Sequence, residues 1–202
     1  MQSPLDAFTT SLARVRHLHA LHASFSGQVT AVVDLSDMLR AEVVLAVSAL
    51  DHFVHELTRL GMLECWRGKR PITDAFRKFS LSTGATLAMI GSLNQAEAIF
   101  ENEIRNRHSY ATFQQPDRIA DAVRLFSSVP LWEEVASRLG TTSTNTKNAL
   151  ALIVDRRNKI AHEADVDPSY PGQRWPIDRA LVDGMLSTVE GIVQAISAVV
   201  TF

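Results

Sequence analysis

The segment SDMLRAEVVLAVSALDHFVHELTRLG, residues 36–61, sets the fold class. Within it Leu39, Val43, Ala46, Leu50, Phe53, Leu57 and Leu60 alternate at spacings of four and three, which lines them along one face of an α-helix. Val44, Val47 and Val54 widen that stripe, so the segment predicts a central helix of roughly 25 residues touching several neighbours. Ser36 is suited to cap its start and Gly61 to stop it. Asp51, His52, His55, Glu56 and Arg59 occupy its other, polar face.

Outward from this helix the same periodicity recurs. Ser3 to about Ser24 reads as a first helix through Leu5, Phe8, Leu12, Val15, Leu18 or His19, and His22, broken near Gly27. Beyond the central helix, Arg67 to Pro71 forms a basic turn, and Asp74–Phe79, Thr83–Ile90 and Leu93–Arg107 read as shorter helical pieces. Pro116 and Pro130 sit where a first helical turn tolerates proline, opening Asp117–Ser127 and Leu131–Leu139, with Gly140 as a cap. Thr144 or Asn145 begins a helix through Leu150, Ile153, Val154, Ile160 and Ala161, followed by a turn-rich loop from Asp165 to Pro176. The last helix runs from Ile177 to about Val200, with Leu181, Met185, Val189 or Ile192, Ile196 and Val199 on its stripe. No run alternates as a strand would, and no internal repeat is present. The prediction is an all-α bundle of six to eight helices forming one domain over residues 1–202.

Composition narrows the function. The chain has 202 residues, 46% hydrophobic and 21% charged, with a net charge of −2, an ordinary folding composition that argues against a strongly electrostatic DNA binder. The densest apolar run, Val43 to Leu50, is interrupted by Ser48 and ended by Asp51, so no membrane span is expected. The start of the chain lacks a secretory pattern, and Cys65 stands alone, which excludes an internal disulfide or thiolate zinc site and makes the cytoplasm the expected location. No Gly-rich phosphate loop, nucleophile elbow or carboxylate dyad occurs. His17, His19 and His22 share a helix, but His17 and His19 face apart with no acidic ligand in view, so neither metal nor cofactor is expected. Arg105 to His108 and Arg67, Lys69 and Arg70 are small basic clusters, and Trp66, Trp132 and Trp175 read as packing residues.

The informative segment is DRRNKIAHE, residues 155–163. On a helical projection Arg157 falls in the middle of the stripe made by Leu150, Ile153, Val154, Ile160 and Ala161, where an unpaired guanidinium is costly. Asn158 and His162 share the adjoining face with Asp155. The simplest expectation is that Arg157 pairs with a carboxylate of the central helix, Asp51 or Glu56, while His162 caps a helix end.

Arg157 through His162 also resembles the Arg-x4–6-His motif of the HEPN superfamily (higher eukaryotes and prokaryotes nucleotide-binding), including a polar residue directly after the arginine. Leu39–Leu57, Leu131–Gly140 and Ile153–Asp167 are similar to members of its RiboL-PSP type, so the resemblance spans most of the chain. It implies a HEPN-like helical bundle that is homodimeric and acts as a metal-independent endoribonuclease in toxin, antiphage-defence or RNA-processing settings. RNA would be the substrate, with an antitoxin or regulatory protein as a further partner. Arg157 and His162 would form the catalytic pair, with Asn158 in support. Around them Asp51 and Glu56 are candidates to hold Arg157, His55 to border a dimer cleft, and Asp155 to share the motif's face.

The residue types suit that chemistry. RNA carries its own nucleophile, the 2′-OH, so a histidine for proton transfer and a permanently charged, bidentate arginine at the phosphate suffice. The products would carry 2′,3′-cyclic phosphate and 5′-hydroxyl ends. On an ideal helix Arg157 and His162 point about 140° apart, so one straight helix does not aim both at one spot. Either the backbone bends near His162, or two copies of the motif meet across a two-fold axis. HEPN toxins paired with a nucleotidyltransferase antitoxin often carry a tyrosine two residues after the histidine; here that position is Ala164, which removes that mode of control, and Tyr170 reads as a loop residue. Two other functions stay open: a HEPN-type module that binds RNA, a nucleotide or a protein without cutting, and an all-α interaction protein in which Arg157 only satisfies a core carboxylate.

Overall fold

A computed structural model describes residues 3–30, 33–170 and 172–200, and there the chain is all α-helical apart from one isolated antiparallel bridge between Val166 and Arg174. The helices are α1 (Pro4–Ser26), α2 (Ser36–Trp66), α3 (Asp74–Arg77), α4 (Thr83–Gly91), α5 (Ala96–His108), α6 (Pro116–Arg124), α7 (Leu131–Arg138), α8 (Ser143–His162) and α9 (Arg179–Val200). That is nine among the described residues, more than the six to eight expected, because short pieces such as the four-residue α3 stand as separate helices. Residues Leu93–Gln95 form a 3-10 turn ahead of α5. Pro171, in the loop predicted from Asp165 to Pro176, lies outside the described residues.

Local chemistry sets several boundaries. The Ser3 hydroxyl accepts from the Asp6 amide at 3.1 Å and starts α1, and the Thr142 hydroxyl accepts from Asn145 at 3.2 Å, so α8 begins ahead of the predicted Thr144 or Asn145. Asp178 accepts from the Leu181 amide at 2.8 Å and opens α9 two residues later than expected. Gly61 does not stop α2, which continues to Trp66. A Cβ built on Gly61 would lie 2.2 Å from Cγ of Phe126, so this glycine exists to let an aromatic ring press on the helix backbone. The continued turn buries Met62, Leu63 and Cys65.

Three ties give the helix directions. His19 meets Glu42 at 2.8 Å, pairing the end of α1 with the start of α2 as antiparallel neighbours. Arg70, just after α2, donates to the Val200 carbonyl at the end of α9 at 2.8 Å, so those two helices run the same way. Asp165, just beyond α8, bonds Arg40 near the start of α2, which sets α8 antiparallel to α2. The core between them holds Leu12, Val47, Leu50, Phe53, Val54, Leu150, Val154, Ile192 and Ile196, all essentially inaccessible. A smaller cluster of Met62, Leu63, Met89, Phe100 and Ile104 packs the end of α2 against α4 and α5. No helix of the described residues is long and apolar enough to cross a membrane.

Candidate functional site

The last two turns of α8 carry Asp155, Arg156, Arg157, Asn158, Lys159 and His162, and the helix is regular through His162. Its end is closed by the Lys159 carbonyl, which accepts from the amides of Glu163 and Asp165, both at 3.0 Å. Ala164 and Asp165 have φ of 52° and 59°, left-handed conformations that cost about 1–2 kcal/mol per non-glycine residue. The reversal is offset by what it delivers. It turns the Asp165 side chain, wholly buried, back toward α8 and α2.

There one carboxylate oxygen of Asp165 accepts from Arg40 Nε at 2.7 Å and Arg156 Nη2 at 2.9 Å. The same two guanidiniums donate to the Trp175 carbonyl at 3.0 and 3.1 Å, and Arg156 also to that of Pro176 at 3.1 Å. The network extends outward: Arg40 Nη1 lies 3.7 Å from Asp37, and Arg174 pairs with both Asp37 and Asp34. Arg156, Asp165, Arg40, Asp37, Arg174 and Asp34 therefore alternate in sign across α8, α2 and both legs of the loop. Burial pulls the Arg156 pKa below its ordinary value, while the Asp165 charge acts the other way.

Arg157 does not take the part expected of it. It is only half-buried, it forms no ion pair with a carboxylate among the described residues, and its hydrogen bond runs from Nη1 to Asn158 Oδ1 at 3.0 Å. Arg156 is the arginine that faces inward. His162 is exposed, and Asp155 pairs with Lys159 at 2.9 Å on the surface. Four enclosed polar atoms without a partner gather here: Arg156 Nε, Arg157 Nε, Asp165 Oδ1 and Trp175 Nε1.

The residues expected to hold Arg157 lie elsewhere. Asp51 Oδ1 accepts from the Phe113 amide at 2.6 Å and sits 3.9 Å from His55 Nε2. Glu56 binds Arg59 at 2.7 Å and Arg105 at 3.2 Å, and His55 packs against Phe113 and His108 with ring centres 4.6 and 6.5 Å away. The reason is distance along α2: at 1.5 Å per residue, Asp51 and Glu56 are about 16 and 24 Å from Arg40, which marks the level of Arg156. The structure brings Asn158 to Arg157 and leaves Asp51, His55 and Glu56 in a separate cluster.

Arg40, Arg156, Asp165 and the Trp175 carbonyl were not singled out from the sequence. The available signal was Arg40 itself, directly after Leu39 at the start of the apolar stripe and 6% exposed in the fold, which demands an acidic partner from another segment. His19, likewise, has the acidic neighbour that its own helix lacks. It is Glu42, fully buried, and burial raises its pKa. Among the described residues no group of three or more His, Cys, Asp and Glu is arranged to hold a metal ion.

The motif's geometry is that of a straight helix end. Because α8 stays regular to His162 and the chain turns only at Ala164, a single copy keeps Arg157 and His162 about 140° apart. No family model, no curated protein and no solved structure matches the chain.

Proposed function

We propose that this protein is a metal-independent endoribonuclease of the HEPN type, working as a homodimer in a toxin or antiphage-defence setting in the cytoplasm. The observation that carries the reading is the split between adjacent arginines: Arg156 supplies the ion pair to buried Asp165, and Arg157, beside Asn158, keeps a guanidinium without a carboxylate partner among the described residues. An arginine retained at a half-buried helix end with no acid to neutralise it suits a phosphodiester.

In this reading His162 takes the proton of an RNA 2′-OH as that oxygen attacks the adjacent phosphorus. The bond to the 5′-oxygen breaks as that oxygen takes a proton from water, completing a 5′-hydroxyl and leaving a 2′,3′-cyclic phosphate, and His162 then gives up its proton to the solvent. Arg157 stabilises the charge that builds on the phosphoryl oxygens, and Asn158 Oδ1 orients the Arg157 guanidinium. Since one copy aims the two side chains apart, Arg157 of one copy works with His162 of the second across a two-fold axis. An antitoxin or other regulator would act on that shared cleft.

The test is incubation of wild-type and His162→Ala protein with total RNA in EDTA, with light scattering for the assembly state. The expected result is cleavage by a dimeric wild type alone. Binding without cleavage by both proteins would favour a non-catalytic module that holds RNA, a nucleotide or a protein.

A further inference from the structure

Two adjacent arginines at one helix end compete for the same acid, and the fold decides between them before any substrate arrives. Asp165 is the deciding group. It is wholly buried, held in a left-handed backbone, and its carboxylate binds Arg156 from α8 and Arg40 from α2 through one oxygen. Its backbone is tied at both ends, the amide to the Lys159 carbonyl at 3.0 Å and the carbonyl to the Trp175 amide at 2.9 Å. Arg174, across the Val166 bridge, fastens the returning leg of the loop to Asp34 and Asp37 at the start of α2.

We propose that Asp165 is a positioning residue for the Arg157 and His162 site, an inference that rests on the ribonuclease reading above. It holds Arg156 turned inward, so that of the two neighbouring guanidiniums only Arg157 is free to meet a phosphodiester. It also fixes the chain where it leaves His162, because Asp165 is three residues on and anchored to both helices. Asp165 touches neither the RNA nor the reacting atoms. Removing its charge leaves Arg156 held only by the Trp175 and Pro176 carbonyls, which lets it shift toward Arg157, and it cuts the side-chain tie that fixes the loop after His162 to Arg40 of α2. Misplacement of this size costs rate with little effect on binding, since the cationic patch remains.

The probe is a fluorescently labelled, mixed-sequence single-stranded RNA, read together with the His162 ring signals in NMR spectra of histidine-labelled protein. Those signals are assigned by their absence in His162→Ala. Asp165→Asn, which keeps the shape and loses the charge, is expected to retain helical circular dichroism, lower kcat about 10- to 100-fold with KM within about twofold, and shift and broaden the His162 signals. If Asp165→Asn fails to fold, Arg156→Lys decides, because it leaves the Arg40 anchor intact and weakens only the α8 tie. It is expected to lower kcat at constant KM and to move the same signals. A folded Asp165→Asn, or in its place Arg156→Lys, with wild-type kcat and unmoved His162 signals overturns the proposal. If the wild type cuts no RNA, the ribonuclease reading falls by itself, and the His162 signals alone then decide whether Asp165 positions that ring.

Discussion

Two charged clusters lie along α2, and they are built to different rules. Toward its end, Arg59 and Arg105 each face two carboxylates, Glu56 and Glu101, in a closed square between α2 and α5. Near its start, Arg40 and Arg156 share one oxygen of Asp165, and Arg157 next to them pairs with no carboxylate among the described residues. Two of the square's pairs are local in sequence, at i,i+3 and i,i+4, whereas the Asp165 network joins residues 125 positions apart. A balanced square of charges stabilises its own neighbourhood. An unbalanced cluster with a cation left over stabilises the fold and, in the function proposed above, also offers that cation to a ligand. The comparison separates ionic groups kept for structure from one kept free.

The largest break in this comparison is expected from Asp165→Ala. It strands Arg40 and Arg156, largely out of solvent, and should cost about 3–5 kcal/mol in urea unfolding. Glu101→Ala in the square should cost only about 1 kcal/mol, because Arg59 keeps Glu56. Equal losses at the two sites would erase the distinction. An intermediate effect is expected from pH at His108, beside the square of Glu56, Arg59 and Arg105. Burial, and then the charges of His55 and Arg107, push the His108 pKa down to about 4 from the usual 6.5. The unfolded chain then binds the extra proton first, so His108 contributes stability that is complete above about pH 6.5 and lost as pH falls toward 4. His108→Leu should flatten the decline of the melting temperature over that window relative to wild type. The smallest effect is expected at the outer end of the Asp165 network. Arg174→Ala removes pairs with Asp34 and Asp37, whose side chains are 61% and 70% exposed, so solvent screening should leave the melting temperature close to wild type at physiological salt.

The helices were legible because periodicity and caps are local properties. The stripe from Leu39 to Leu60 and the start of α6 at Pro116 could be read from neighbours in the chain. Gly61 misled because its reason is the Phe126 ring, a contact across 65 positions that no local pattern carries. The site was legible by halves. The cluster of Arg, Asn and His at the end of α8 was visible, but the helical projection assigned the inward role to Arg157. A projection assumes that the buried stripe runs to the helix end. Here the core thins out, and the partner for an inward arginine comes from the returning loop. Asp165 reaches it only through two left-handed residues, Ala164 and Asp165, neither of them the glycine that announces such a turn. The expected holders of Arg157, Asp51 and Glu56, share α2's polar face, yet within one copy they sit too far along the helix to meet it.

The division between Arg156 and Arg157 is the account's central claim, and one paired measurement tests it: urea unfolding and RNA cleavage of Arg156→Ala and Arg157→Ala made side by side. Arg156→Ala is expected to lose about 1–3 kcal/mol of stability, because Asp165 keeps Arg40 while the Trp175 and Pro176 carbonyls lose a donor. Arg157→Ala is expected to unfold within about 1 kcal/mol of wild type while cleavage falls about 100- to 1,000-fold. Stability lost at Arg157 and spared at Arg156, or full cleavage by a folded Arg157→Ala, would contradict it.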